Sequence, residues 1–192
     1  YICSKVQSLS YDEQLKEKSN QVEDAFRRLG GFSNFELSGK VGAEKIFNYR
    51  NKMEFTFSNK RWLTQEEIAN DSEIKNKDAL GFHVPGMFDK VIDLNKCYLQ
   101  KEPSNKIRLA VKKFADKNKL LYFDLRNQTG LLRNLLIRTS TTGELMVLVQ
   151  FFNNDIEKIE LLMNYINDTF KKITSLLYTV NSKGNNKTQK KK

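Results

Sequence analysis

At 192 residues, 39% of them hydrophobic, the chain is long enough for one domain of ordinary size with a real core. No run approaches the roughly 18 uninterrupted apolar residues of a membrane span, and the first twenty residues lack the basic-then-apolar order of a secretory signal. The two cysteines, Cys3 and Cys97, are too far apart in the sequence to suggest a disulfide framework, so a soluble protein of the reducing cytoplasm is expected. A formal charge of +10, from 33 Lys+Arg against 23 Asp+Glu, points to a polyanionic partner. Half of that excess lies in five lysines between Ser182 and Lys192, a stretch without acids that reads as a disordered, solubilising tail.

In chain order, Ser10 and Glu13 have the spacing of a capping box. Leu15, Val22, Phe26 and Leu29 then recur on one helical face until Gly30-Gly31 stops the pattern. In Arg50 to Phe57 the residues Met53, Phe55 and Phe57 alternate with Arg50, Lys52, Glu54 and Thr56, the period of a half-buried strand. Arg61 to Asp78 is polar and weakly periodic and reads as an insertion or long loop. Gly81 to Gly86 reads as a glycine- and proline-rich turn region, and Lys90 to Leu94 as a strand. Pro103 suits a first helical position before the stripe Ile107, Ala110, Val111 and Phe114.

Leu131–Thr139 and Leu145–Phe152, joined by Ser140-Thr141-Thr142-Gly143, read as an antiparallel hairpin. Asp155 caps a helix with Ile156, Ile159, Met163, Ile166 and Phe170 on one face, and Leu176 to Val180 is a final strand. The helical stripes are taken as core-facing. From about residue 90 the order is strand, helix, strand, strand, helix, strand. The expected class is therefore α+β, an antiparallel sheet with helices packed on one face and a ferredoxin-like βαββαβ portion.

Self-contained chemistry is not visible. Nucleophilic catalysis needs a nucleophile, a base and usually an orienting group, and with a single histidine, His83, few such sets can be assembled. His83 is read as a structural or surface residue. The nine glycines never form a dinucleotide- or phosphate-binding signature, and no zinc-protease or calcium-loop spacing occurs. No catalytic residue is assigned. What stands out is a set of basic side chains on strands, Arg50, Lys52, Arg133 and Arg138, interleaved with aromatics such as Tyr49 and Phe55, a pattern suited to single-stranded RNA or to an ordinary solvated sheet face. Arg133 and Arg138 differ in parity, so only one of them joins a given face unless a bulge intervenes.

Three passages carry a more specific signal: Tyr49-Arg50-Asn51-Lys52-Met53-Glu54-Phe55; Gly81-Phe82-His83-Val84-Pro85-Gly86 leading through Val91-Ile92-Asp93-Leu94 to Cys97; and Leu132-Arg133-Asn134-Leu135-Leu136-Ile137-Arg138. In order and spacing, together with Gln7 to Tyr11 and Tyr178 to Asn181, they resemble the RNA (uracil-5-)-methyltransferases that act on bacterial ribosomal and transfer RNA. The likeness runs from about Gln7 to about Asn186.

The resemblance implies that residues 1–181 form the central, RNA-contacting domain, lying in that family between an N-terminal oligonucleotide-binding barrel and a C-terminal S-adenosylmethionine-binding domain. It implies RNA as partner and places Arg50 near the target nucleotide, as the first candidate for a substrate contact. The catalytic cysteine and glutamate base lie in the C-terminal domain, so this stretch is expected to be inactive alone and to hold no cofactor itself. A stand-alone RNA-binding protein derived from the family is the alternative.

Members with an iron–sulfur cluster hold it with three cysteines before a Lys-Trp-Gln and one downstream. Cys97 matches the downstream ligand, whereas aligning Lys5-Val6-Gln7 on Lys-Trp-Gln puts Ser4 at the third cysteine and Cys3 at the preceding glycine. Two thiols cannot complete a four-cysteine site, so Cys97 is read as a vestigial ligand.

Overall fold

The computed structural model describes residues 8–69 and 77–183, and they fall into two compact units divided between Tyr49 and Arg50. The chain changes unit where the strand pattern begins. Cys3, the Lys5-Val6-Gln7 alignment and residues 184–192 of the lysine-rich stretch lie outside the described residues. Among the described residues no helix is long and apolar enough to cross a membrane.

The first unit opens with helix α1, Tyr11–Asp24. Its capping box forms as the spacing requires: Ser10 Oγ accepts from the Glu13 N–H, and the Glu13 carboxylate accepts from the Ser10 N–H. The helix widens into a π-helical turn over Ala25–Leu29 and ends at Gly30, with Gly31 at φ +69°. Its apolar stripe is not buried in the way a core-facing stripe is: Leu29 is 85% exposed, and Phe26, itself exposed, packs on the rings of Phe32 and Phe35. Tyr11 Oη accepts a 2.6 Å hydrogen bond from Ala43 N, which ties the coil after the helix back to its start.

The second unit is one six-stranded sheet. Its elements are β1 (Lys52–Ser58), the short helix α2 (Gln65–Ala69), β2 (Ala79–Val84), β3 (Met87–Asp93), α3 (Ser104–Lys117), β4 (Leu132–Thr139), β5 (Leu145–Phe151), α4 (Ile156–Thr169) and β6 (Ser175–Val180). The α+β class holds, with helices on one face. The strand order β3-β2-β1-β4-β5-β6 differs from a ferredoxin-like one, because β1 and β2 sit between β3 and β4, and the sheet is mixed, since β6 runs parallel to β5. The physical reason is that the crossover helix α4 returns the chain in the direction of β5, as a βαβ unit must.

The turn region around His83 is in fact strand β2, closed onto β3 by Pro85-Gly86 with Gly86 at φ +81°, the chemistry of a type II turn. Within the expected insertion, Thr64 and Glu67 cap α2 reciprocally.

Alternation places Met53, Phe55 and Phe57 of β1, Leu135 and Ile137 of β4, and Val147, Val149 and Phe151 of β5 on the inner face, all almost fully buried. Each such side chain contributes about 1.5–3 kcal/mol by leaving water. Helices α3 and α4 cover this face through Ile107, Val111, Ile159, Leu162 and Ile166, and Phe114 stacks on Tyr165 at 4.0 Å between them. Arg108 of α3 is fully buried. It donates to the carbonyls of Leu80 and Asn95 and lies over the Phe55 ring.

Candidate nucleic-acid interface

The face opposite the helices is organised in cross-strand rows by the register of the ladders. One row is Lys52, Arg138, Met146 and Ser175; the next is Glu54, Leu136, Leu148 and Leu177; the third is Thr56, Asn134, Gln150 and Thr179. The β1 alternation thus does what the sequence pattern demands, putting Lys52 outward by burying Met53 and Phe55.

Lys52 and Arg138 are direct cross-strand neighbours and both exposed. Like charges so placed are destabilising. Arg50, two residues earlier and also exposed, is anchored through its backbone, whose N–H donates to Leu99 O at 2.8 Å. Among the described residues none of the three side chains has an ion-pair partner within 4 Å. The one acid in the central row, Glu54, is taken up by Asn134 Nδ2 at 2.7 Å.

Arg133 behaves differently. A register shift between Leu132 and Asn134 supplies the bulge that parity required, so Arg133 and Arg138 reach the same side of the sheet. The Arg133 guanidinium, however, donates to the carbonyls of Asn181 and Lys183 and lies over the rings of Phe123 and Phe152. It fastens the segment after β6 to the sheet and is the least available of the four cations for a ligand.

Beside the third row is an open cleft of about 550 Å³. Thr56, Asn134 and Gln150 line it, with His83, Phe88 and Phe123 around them. Two features were not legible in the sequence: His83 reaches this cleft from β2, and Phe88 at the start of β3 is 63% exposed. An apolar residue just after a Pro-Gly turn is the available signal for the second.

The wall behind Phe88 is rigidly built. Arg126 lies over the Phe88 ring and donates to the Asp89 carboxylate at 2.5 Å, holding that carboxyl below its usual range. The loop carrying Arg126 is in turn fixed by Asp124, which accepts from the N–H groups of Asn127 and Arg126 and from Asn59 Nδ2, with Lys60 at 3.4 Å. The Asn127 amide first, and then these other partners, push the Asp124 carboxyl far down against the opposing effect of desolvation.

Cys97 is buried at 3% exposure, and its backbone N–H and C=O are both held by the Asn105 carboxamide at 2.8 and 2.9 Å. Among the described residues no group of three or more His, Cys, Asp or Glu could hold a metal ion, and Cys97 is the one cysteine there. That donor set does not fit a four-thiolate cluster, which needs three further thiolates within reach.

No protein-family model matches the chain. An uncharacterized RNA methyltransferase of Bacteroides thetaiotaomicron is 49% identical over 184 residues, covering 94% of this chain and 40% of that protein. One of Porphyromonas gingivalis is 47% identical over 186 residues, with the same coverage of each. The chain is homologous to a segment of these RNA methyltransferases. It spans about 40% of the length of the curated relatives it matches.

The fold of this RNA methyltransferase homologue is shared with the crystal structure of the Pyrococcus abyssi tRNA (uracil-54, C5)-methyltransferase in complex with S-adenosyl-L-homocysteine. The TM-score is 0.64 at 22% identity, over 96% of this chain and 37% of that one.

Proposed function

We propose that the chain is the central RNA-recognition and scaffold portion, residues 1–181, of an S-adenosylmethionine-dependent RNA (uracil-5-)-methyltransferase of the cytoplasm that makes 5-methyluridine in ribosomal or transfer RNA. In this reading it is not catalytic alone. Cofactor binding and methyl transfer belong to other parts of the parent enzyme, and residues 182–192 add general electrostatic attraction.

The observation that carries the reading is the facing pair Lys52 and Arg138, with Arg50 close by in sequence, on the face of the sheet opposite α3 and α4. A protein tolerates like charges in direct cross-strand contact when a polyanion neutralises them, and functional sites are where such local rules are broken. Phosphate contacts position an RNA, while bases splayed from a single-stranded loop give selectivity. Homology to RNA methyltransferases and a fold shared with a uracil-5 enzyme support the same assignment.

The test is a fluorescence titration of the chain with a uridine-loop hairpin RNA between 50 and 200 mM salt. Three single-strand phosphate contacts predict that log K falls with log salt at a slope of about −2 or steeper. Absence of binding at 50 mM salt contradicts the proposal.

A further inference from the structure

The cation row and the cleft lie at opposite ends of the same sheet face. From Lys52 to Thr56 along β1 is four residues, about 13 Å at the rise of a strand, so one short run of nucleotides can reach both. We propose that the cleft beside Phe88 takes an unstacked nucleobase of the RNA whose phosphates the Arg50, Lys52 and Arg138 cluster holds; the inference rests on the RNA-binding reading above and extends it to a base site.

Three observations carry it. The cleft, at about 550 Å³, is within the range of ligand sites and larger than a base needs. Its lining contains no carboxylate, and its ionisable groups are His83 and Arg133, so nothing in it repels an anionic chain. Finally, it pairs an aromatic surface with polar groups that both donate and accept. Phe88 is 63% exposed in spite of its apolar ring and is held by Arg126 over that ring. The Gln150 carboxamide, the Thr56 hydroxyl and the His83 imidazole make no hydrogen bond among the described residues. These groups can meet the mixed donor and acceptor edge of a base.

A phosphate site would place its cations at the centre, whereas Arg133 here is turned to the carbonyls of Asn181 and Lys183. A purely apolar protein-docking groove would not set Thr56, Asn134 and Gln150 side by side on its floor. An exposed ring beside amide-bearing strands is the arrangement on which single-stranded bases stack.

The experiment compares the affinity of the full chain for a ten-nucleotide oligouridine with that for an abasic oligonucleotide of the same length and charge. Stacking and edge contacts predict that the wild-type chain prefers the base-bearing strand by about tenfold or more. Phe88→Ala and Gln150→Ala are expected to lower affinity for oligouridine and leave the abasic strand unchanged, and Phe88→Tyr to retain the preference. Replacing Lys52 is expected to weaken both strands alike.

If the wild type binds both strands equally, or if Phe88→Ala binds oligouridine as tightly as wild type, the cleft is no base site and is left as a surface for another protein segment; the cation cluster then stands on its own. Equal loss for both strands in Phe88→Ala also overturns it. If the wild-type chain binds neither strand, the RNA-binding reading falls and the base site with it.

Discussion

Replacing Arg50, Lys52 and Arg138 together with alanine is expected to weaken binding of a uridine-loop RNA by about a hundredfold or more, from three charge-assisted contacts at about 1 kcal/mol or more each. The salt dependence should flatten by about 2 in slope, since roughly 0.7 of a counterion is released for each single-strand phosphate neutralised. The expected effect on stability has the opposite sign. Lys52 and Arg138 face each other across the β1–β4 ladder, and removing that repulsion relieves up to about 1 kcal/mol. The triple variant should therefore melt at the same temperature as wild type or slightly higher while losing RNA. A variant that keeps its affinity, or that loses affinity only because it has unfolded, does not fit the strand-face interface.

Arg108→Ala is expected to have the largest effect on stability of any single change on the helical side, a loss of about 3 kcal/mol or more in urea denaturation. Arg108 is fully buried in α3, and its guanidinium reaches the carbonyls of Leu80 in β2 and Asn95 after β3 while lying over Phe55 in β1. Truncation leaves both carbonyls short of a charged donor and opens a void beside Phe55, and each of those costs adds to the loss. Arg108→Lys should not rescue it, because one ammonium cannot reproduce the planar fork that spans two carbonyls. The measured m-value should stay constant, marking a change in stability rather than in the cooperativity of unfolding. A loss below about 1 kcal/mol would show that the guanidinium does not hold α3 to the sheet.

The sequence was most readable where a short local pattern decides the outcome. The Ser10–Glu13 box, the Asp155 cap on α4, the alternation of β1 and the β4–β5 hairpin all follow from contacts within a few residues, and all form. Strand β2 was hidden because Ala79, Leu80 and Gly81 are all buried, so no polar–apolar alternation marks the start of the strand. Nor could periodicity give the strand order, since β1 meets β4 across some eighty residues of chain, a pairing set by the closing of the core. The exposed stripe of α1 shows the converse: amphipathic spacing reports what a helix can bury, and here Phe26 and Leu29 stay exposed.

In the candidate site, the outward direction of Lys52 was legible because parity on a strand with one buried face fixes which way a side chain points, whereas Arg50 precedes the strand and Arg138 could be placed only relative to Arg133. Arg133 was readable only as a conditional, because its orientation depends on a bulge that the residues around Leu132 do not announce. Phe88 and His83 were not legible as cleft residues, since they are brought beside Thr56 and Gln150 by strand pairing rather than by sequence proximity.

The most direct measurement of the central claim is lysine footprinting: acylation of the chain with and without saturating uridine-loop RNA, read residue by residue by mass spectrometry. Lys52 stands on the face of the sheet opposite α3, while Lys106, Lys113 and Lys117 are exposed along α3. An RNA interface on the strand face predicts that RNA protects Lys52 strongly and leaves the three α3 lysines reactive; protection of Lys106, Lys113 and Lys117 with Lys52 still fully reactive would contradict it.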